Sequence, residues 1–289
     1  MKHITVLMSI FLALMLSIQG CGEKKEKGNI ETQIKETSEF SDDLIGKLSD
    51  ENHKNVLKAI KELTKSARHK TLEDRKPIVE QLGKLYDNLS PGLIEHLDVG
   101  KVLGKNPFIR WNIAIALGEI GHESAIPVLE KMLTTPYEHS NVKFRAILSL
   151  GLIGSEKAIP IIEKLVDDKY HISGSYINRQ FVAIALGKIG HESGVPVLAL
   201  LIEDIDPVVR WHVAVAFGDI GHVSGVEHLA KLLNDEIPFV RAHTAIALAQ
   251  IGDKGGLPYL EQLVNDKNPK VAKISSQSLT TLKSIINQD

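Results

Sequence analysis

The sequence predicts an all-α solenoid, a superhelix of stacked antiparallel helix pairs. Three observations predict it. One motif returns five times: Arg110 to Gly121, Lys143 to Gly154, Arg179 to Gly190, Arg210 to Gly221 and Arg241 to Gly252. Its closing glycines lie 33, 36, 31 and 31 residues apart, a period that belongs to stacked units sharing one continuous core. Apolar residues within the motif keep helical spacing. Ile113, Leu117 and Ile120 stand at i, i+4 and i+7, as do Val213, Phe217 and Ile220, and Thr244, Leu248 and Ile251, so each set shares one helix face.

Along one repeat, each element has its own reason. The first helix carries small residues beside its apolar face: Ala114 with Gly118, Ala183 with Gly187, Ala214 with Gly218. A mid-helix glycine costs up to about 1 kcal/mol relative to alanine, so its return implies a second helix packed close against it. Ala249 at the same place in the fifth copy shows that smallness is the requirement. The glycine that ends each helix is the residue type suited to a left-handed terminator. A second helix then opens on sequences such as Ser124-Ala-Ile-Pro-Val-Leu129 or Ser193-Gly-Val-Pro-Val-Leu198. Proline is tolerated there because amides of a first turn lack partners in any case. A loop such as Asp204-Ile-Asp-Pro-Val-Val-Arg210 leads into the next repeat.

The Asp-x-x-Pro-x-Val-Arg loop, the Ala-x-Ala-Leu-Gly-x-Ile-Gly helix and the Ala-Ile-Pro-x-Leu opening resemble HEAT-like repeats of the phycobilisome-lyase type, most clearly over residues 106 to 266. The expected organisation is five such repeats over 106–268, degenerate helical repeats over 51–105 and a C-terminal capping helix over 269–289. Lys54 to Lys65, Asp74 to Leu89 and Leu93 to Leu103 are the degenerate helices, and Pro269 to Ile286 is the cap. Atypical ends are expected where terminal units close the core. The loops Thr134 to Asn141 and Asp167 to Tyr176 are longer than the rest and are candidate recognition loops.

Residues 1–20 have the layout of a secretory signal: basic Lys2, then an apolar run from Ile4 to Ile18. The run is shorter than the roughly 20 residues that span a bilayer. It ends in Ile18-Gln19-Gly20-Cys21, which resembles a bacterial lipobox, with Gln19 in place of the usual small residue. Cys21 is the single cysteine of the chain, so no intramolecular disulfide supports the fold. The resemblance implies acylation of Cys21 and a membrane anchor without a transmembrane helix. By the same resemblance, to lipoproteins of double-membraned bacteria, Gly22 rather than Asp at the second mature position implies the outer membrane, facing the periplasm or the cell surface. Residues 21–50 are polar and charged and read as a tether. The mature chain would carry 33 basic and 36 acidic residues, with no clustered basic tract, which argues against nucleic acid as a partner.

Candidate chemistry is sparse. His122-Glu123, His191-Glu192 and His222-Val223 follow the terminator glycines. In HEAT-like deoxyhypusine hydroxylases, His-Glu pairs bind iron early in the first helix. The corresponding residues here are Trp111-Asn112, Phe144-Arg145, Gln180-Phe181, Trp211-His212 and Ala242-His243, so those ligands do not carry over. Ser155 and Asp253 occupy the same turn position as the histidines, which points to helix capping. His212 and His243 match in adjacent repeats but lack the further ligands a metal needs. No metal site, cofactor or catalytic constellation is expected. Arg110, Lys143, Arg179, Arg210 and Arg241 form a recurring row, read as a structural ladder onto loop acids such as Asp204, Asp206 or Asp235 rather than as an anion site.

The second helices offer Lys131, Lys164, Leu200, Lys231 and Gln262, one per repeat, opposite the apolar stripe, with His228 and Tyr259 nearby. The resemblance places these helices on a concave face. The row fits an acidic or extended segment of an unidentified protein partner, the alternative being an ordinary solvated helix face. Trp111 and Trp211 are either partner anchors or packed between repeats. The expected function is a lipid-anchored, non-catalytic protein-binding scaffold. The alternative is an enzyme of the HEAT-like class, a bilin lyase or a metal-dependent hydroxylase.

Overall fold

The computed structural model describes residues 47, 53–89, 107–136, 138–166 and 179–288. The signal segment, Cys21, the tether apart from Lys47, the helix expected at Leu93 to Leu103, and the Asp167 to Tyr176 loop lie outside them. Among the described residues there are thirteen α-helices and no strand. They are α1 (His53–Ala67), α2 (Leu72–Leu89), α3 (Pro107–Ile120), α4 (Ile126–Thr134), α5 (Ser140–Ile153), α6 (Ile159–Glu163), α7 (Arg179–Ile189), α8 (Val195–Ala199), α9 (Pro207–Ile220), α10 (Gly225–Ala230), α11 (Pro238–Ile251), α12 (Leu257–Leu263) and α13 (Pro269–Ile286).

The chain is a solenoid of helix pairs. The odd-numbered helices from α3 to α13 pack in series, each on the next, and the even-numbered helices lie beside them. One continuous core runs the length of the stack, from Val56 and Leu63 through Ile113, Leu150, Leu186 and Phe217 to Leu248 and Leu282. The terminator works as the motif requires. Gly154 has φ +71° and takes α5 into the turn, and the equivalent glycines of the other four repeats share that left-handed backbone.

The mid-helix glycines set the spacing between first helices. A Cβ on Gly118 would lie 2.8 Å from the Ser149 Cα, and one on Gly151 would lie 2.8 Å from the Ala185 Cα. Ala216 meets Gly187 in the same way, and Ala247 meets Gly218. Each glycine therefore receives a small residue of the following helix directly on its backbone. Ser149 adds a tie, its hydroxyl donating to the Ala114 carbonyl at 2.7 Å.

Candidate interaction surface

Three rows of side chains run along the stack, and their partners decide what each can do. The first is the ladder. Arg210 donates from Nε and Nη2 to Asp235 at 2.6 and 3.0 Å, and from Nη1 to the Asp204 carbonyl at 2.7 Å. Arg241 repeats this one unit on, with Asp266 and the Asp235 carbonyl. Arg179 forks onto Asp204. One guanidinium thus clamps the loop before its helix to the loop after its repeat, a two-pronged geometry that lysine cannot supply. The acids are held in turn by backbone amides, Asp235 by Ile237 and Asp266 by Asn268. The Arg241 guanidinium holds the Asp266 carboxyl below the usual carboxylate range.

Two residues named from the sequence behave differently. Asp206 is no rung of the ladder. Its carboxylate caps α9, accepting from the Val208 amide at 2.9 Å. Lys143 is buried, 1% exposed, and its amine has no hydrogen-bond partner among the described residues. Glu138, the acid that acts on it electrostatically, is hydrogen-bonded to other donors. Glu138 accepts from Arg110 Nε at 3.0 Å, from the Tyr86 hydroxyl at 3.1 Å and from the His139 amide at 2.8 Å. This buried cluster joins α2, α3 and the loop before α5, and the motif gave no sign of it because Tyr86 stands outside the clear repeats.

Burial pushes the Lys143 amine below the ordinary lysine value, with Glu138 opposing. The unfolded chain therefore holds this proton to higher pH than the folded chain does. Stability should rise as pH climbs from the folded value toward the ordinary value of about 10.4. Lys143→Met is expected to raise stability at neutral pH by about 1–2 kcal/mol, because it removes an unpaired buried polar group. It should also flatten the alkaline rise, as urea titrations between neutral pH and pH 10.5 would show.

The second row is in the turns. His122, His191 and His222 each accept a backbone amide at Nδ1 and so cap the turn that follows: His122 from Ser124 at 3.1 Å, His191 from Ser193 at 3.3 Å. Their other edge was not legible from one repeat. His191 Nε2 meets Glu156 at 3.0 Å, and His222 Nε2 meets Glu192 at 2.9 Å. The Ser155 hydroxyl likewise donates to Glu123 at 2.7 Å, joined there by Lys157. The glutamate of each turn thus holds the cap of the next. The series ends where Val223 replaces the glutamate, and the next cap is Asp253, an acid that such a glutamate would repel. His191→Ser, which copies Ser155, should stay within about 0.5 kcal/mol of the parent, whereas His191→Ala should lose about 1 kcal/mol; thermal melts of the pair separate them.

The third row follows the second helices, with Lys164, Leu200 and Lys231 as the residues that cap the C-terminal ends of α6, α8 and α10. Lys131 pairs with Asp87 at 2.7 Å and Lys164 with Glu130 at 3.4 Å, each reaching back to the preceding second helix. These two lysines are charge-balanced, which narrows the electropositive row expected from sequence. The carboxylate position that Glu130 holds for Lys164 is Ala199 ahead of Lys231, and Lys231 is exposed. Leu200 is 64% exposed. Tyr259 is half-buried and Gln262 exposed, the latter on a shallow pocket of about 330 Å³ beside Asp235 and Lys267.

Trp111 and Trp211 are half-buried between repeats. Arg145 lies over the Trp111 ring at 5.3 Å, and Trp211 meets Phe239 and His243 of the next repeat edge-on at 5.6 and 5.3 Å. His212 stacks on Trp211. Burial holds His212 below the usual histidine range, and His243 adds to that. Among the described residues no three His, Cys, Asp or Glu side chains gather as a metal site would need.

The profile of the HEAT-repeat family matches residues 90–173, 170–236 and 197–280, and the chain belongs to that family. Solved structures similar to it include human deoxyhypusine hydroxylase in complex with glycerol, at 16% identity over 89% of this chain and 99% of that one, with a TM-score of 0.38. The complex of CpcE and CpcF of phycocyanin lyase from Nostoc sp. PCC7120 is similar at 22% identity over 86% and 92%, with a TM-score of 0.48. A designed armadillo repeat protein is similar at 17% identity over 83% and 98%, with a TM-score of 0.40. No curated protein matches the chain.

Proposed function

We propose that this protein is a lipid-anchored scaffold of the bacterial envelope, acylated at Cys21 and binding another protein through its solenoid without catalysing a reaction. One observation carries the reading. The turn histidines, serines and glutamates and the ladder arginines, the groups that chemistry would draw on, are occupied in capping helices and fastening repeats. The second-helix row, by contrast, leaves Leu200, Lys231 and Gln262 exposed, with half-buried Tyr259 beside them and the paired Lys131 and Lys164 flanking. An apolar side chain as open as Leu200 beside a cation that forms no ion pair among the described residues is the composition of a contact patch.

The anchor is supported by the apolar leader and by the lipobox-like residues Ile18 to Cys21. No helix among the described residues is long and apolar enough to cross a membrane. Intact mass and membrane partitioning, for the parent and Cys21→Ala expressed in a bacterial host, test it. A chain starting at Cys21 with added acyl mass is expected, lost in the variant. A soluble chain retaining residues 1–20 would refute envelope anchoring.

A further inference from the structure

Between α1 and α3 the first helices part, where later pairs close. Later pairs set a small residue on a glycine, as Ala185 sits on Gly151. Ala116 holds that place on α3, and it lines a groove together with Ile60 and Thr64 of α1, where no glycine stands. The groove between the two helices has a volume of about 530 Å³. Its floor is apolar, formed by Leu57, Ile60, Ile115 and Ala116. The Thr64 hydroxyl is turned to its own helix, donating to the Ile60 carbonyl at 2.7 Å, so it adds no polar demand.

The rim is charged and one-sided. Lys61, Lys65 and Arg68 line the α1 edge, while α3 contributes Asn112 and Glu119. Arg68 pairs with Glu119 at 3.0 Å. Lys61 and Lys65 are exposed and have no carboxylate partner among the described residues. The rim therefore keeps two cations beside an apolar trough. Residues 57–68 span about 16 Å at 1.5 Å per residue, or about three helical turns.

We propose that this groove docks an amphipathic helix from a partner protein, about eleven residues long by the same rise. Its apolar side faces Leu57, Ile60 and Ile115, and carboxylates line the flank beside Lys61 and Lys65. The inference rests on the reading of the solenoid as a protein-binding scaffold and adds the chemistry of one ligand segment. A helix in a groove gains affinity from its buried apolar side. Rim charges select the sign of the partner and set the on-rate, with a strong dependence on salt.

The test uses the full chain and a fluorescein-labelled synthetic helix with leucine along one side and glutamate along one flank, beside its glutamine counterpart. The glutamate helix is expected to bind and to weaken about tenfold in Lys61→Glu/Lys65→Glu. Added salt should weaken it too, and the glutamine helix should bind about tenfold less well. Equal binding of the two helices, or an unchanged affinity in a variant that melts like the parent, overturns charge-selected docking. No binding at all overturns the groove as a site. A self-dimer abolished by the same variant puts a second copy there, and binding that appears only after removal of residues 21–52 puts the chain's own leading segment there; either result overturns an external partner. Failure here alongside partner capture that depends on Leu200 and Lys231 leaves the scaffold reading standing, and the converse result separates the two in the other direction.

Discussion

Replacing Gly151 with valine is expected to cost about 3 kcal/mol, at the upper end for an overpacked core, and to lower Tm by roughly 6–12 °C. The reason is what the new side chain meets. A Cβ at Gly151 would lie 2.8 Å from the Cα of Ala185 and 3.1 Å from its carbonyl oxygen. Neither is the tip of a flexible chain, so relief requires α5 and α7 to move apart. Gly151→Ala sharpens the comparison. Alanine gains up to about 1 kcal/mol of helix propensity, yet the same Cβ contact should outweigh it and leave the variant less stable. Gly194 is the control, because the atoms nearest to a Cβ there are the side-chain ends Ile220 Cδ1 at 3.4 Å and Leu186 Cδ2 at 3.5 Å, ordinary contacts. Gly194→Ala should melt within a degree or two of the parent, an ordinary result where no mechanism of loss applies. Thermal unfolding followed by circular dichroism decides all three.

The second large effect lies in the Tyr86–Glu138–Arg110 cluster. Arg110 is 2% exposed and Glu138 4%, so neither charge reaches water. Arg110→Met or Glu138→Leu alone should cost about 3–5 kcal/mol, because each strands a buried charge. The double variant should recover part of that loss, since it removes both buried charges and leaves the Tyr86 hydroxyl, the His139 amide and the Lys143 amine without Glu138. Tyr86→Phe removes the hydroxyl's contacts with Glu138 and Thr135 and should cost about 1–2 kcal/mol. A double-mutant cycle by urea unfolding measures the coupling directly. Equal losses in the single variants that simply add in the double would refute the stranded-charge account.

Much of this fold is legible because a repeat states its own local rules several times. The terminator glycines, the prolines of the second-helix openings and the span of α13 all follow from patterns within one unit. The close approach of first helices is also legible, since Gly118 and Ala249 at one register position exclude any reason but size. The register between units is harder to see. Glu123, Glu156 and Glu192 each bond the cap of the following turn, and the trace in the sequence is a glutamate that disappears at Val223 just ahead of Asp253. Lys131 and Lys164 looked like a row of open cations because Asp87 and Glu130 come into reach only once second helices lie side by side. Lys143 occupies the arginine position of its repeat, yet its amine ends buried with no hydrogen-bond partner among the described residues. Those three cases share one cause: side-chain pairing across repeats depends on stacking geometry that periodicity within a repeat does not contain.

The central claim is that the exposed second-helix row binds a protein in the envelope. Quantitative capture from native membranes tests it most directly, with the full lipidated chain beside Leu200→Glu/Lys231→Glu, after matched melting curves show that both fold alike. The account predicts one protein recovered in near-stoichiometric amount with the parent and depleted about tenfold with the variant, the scale expected when a contact-patch anchor is lost. Equal recovery with both, or no partner with either, would contradict it.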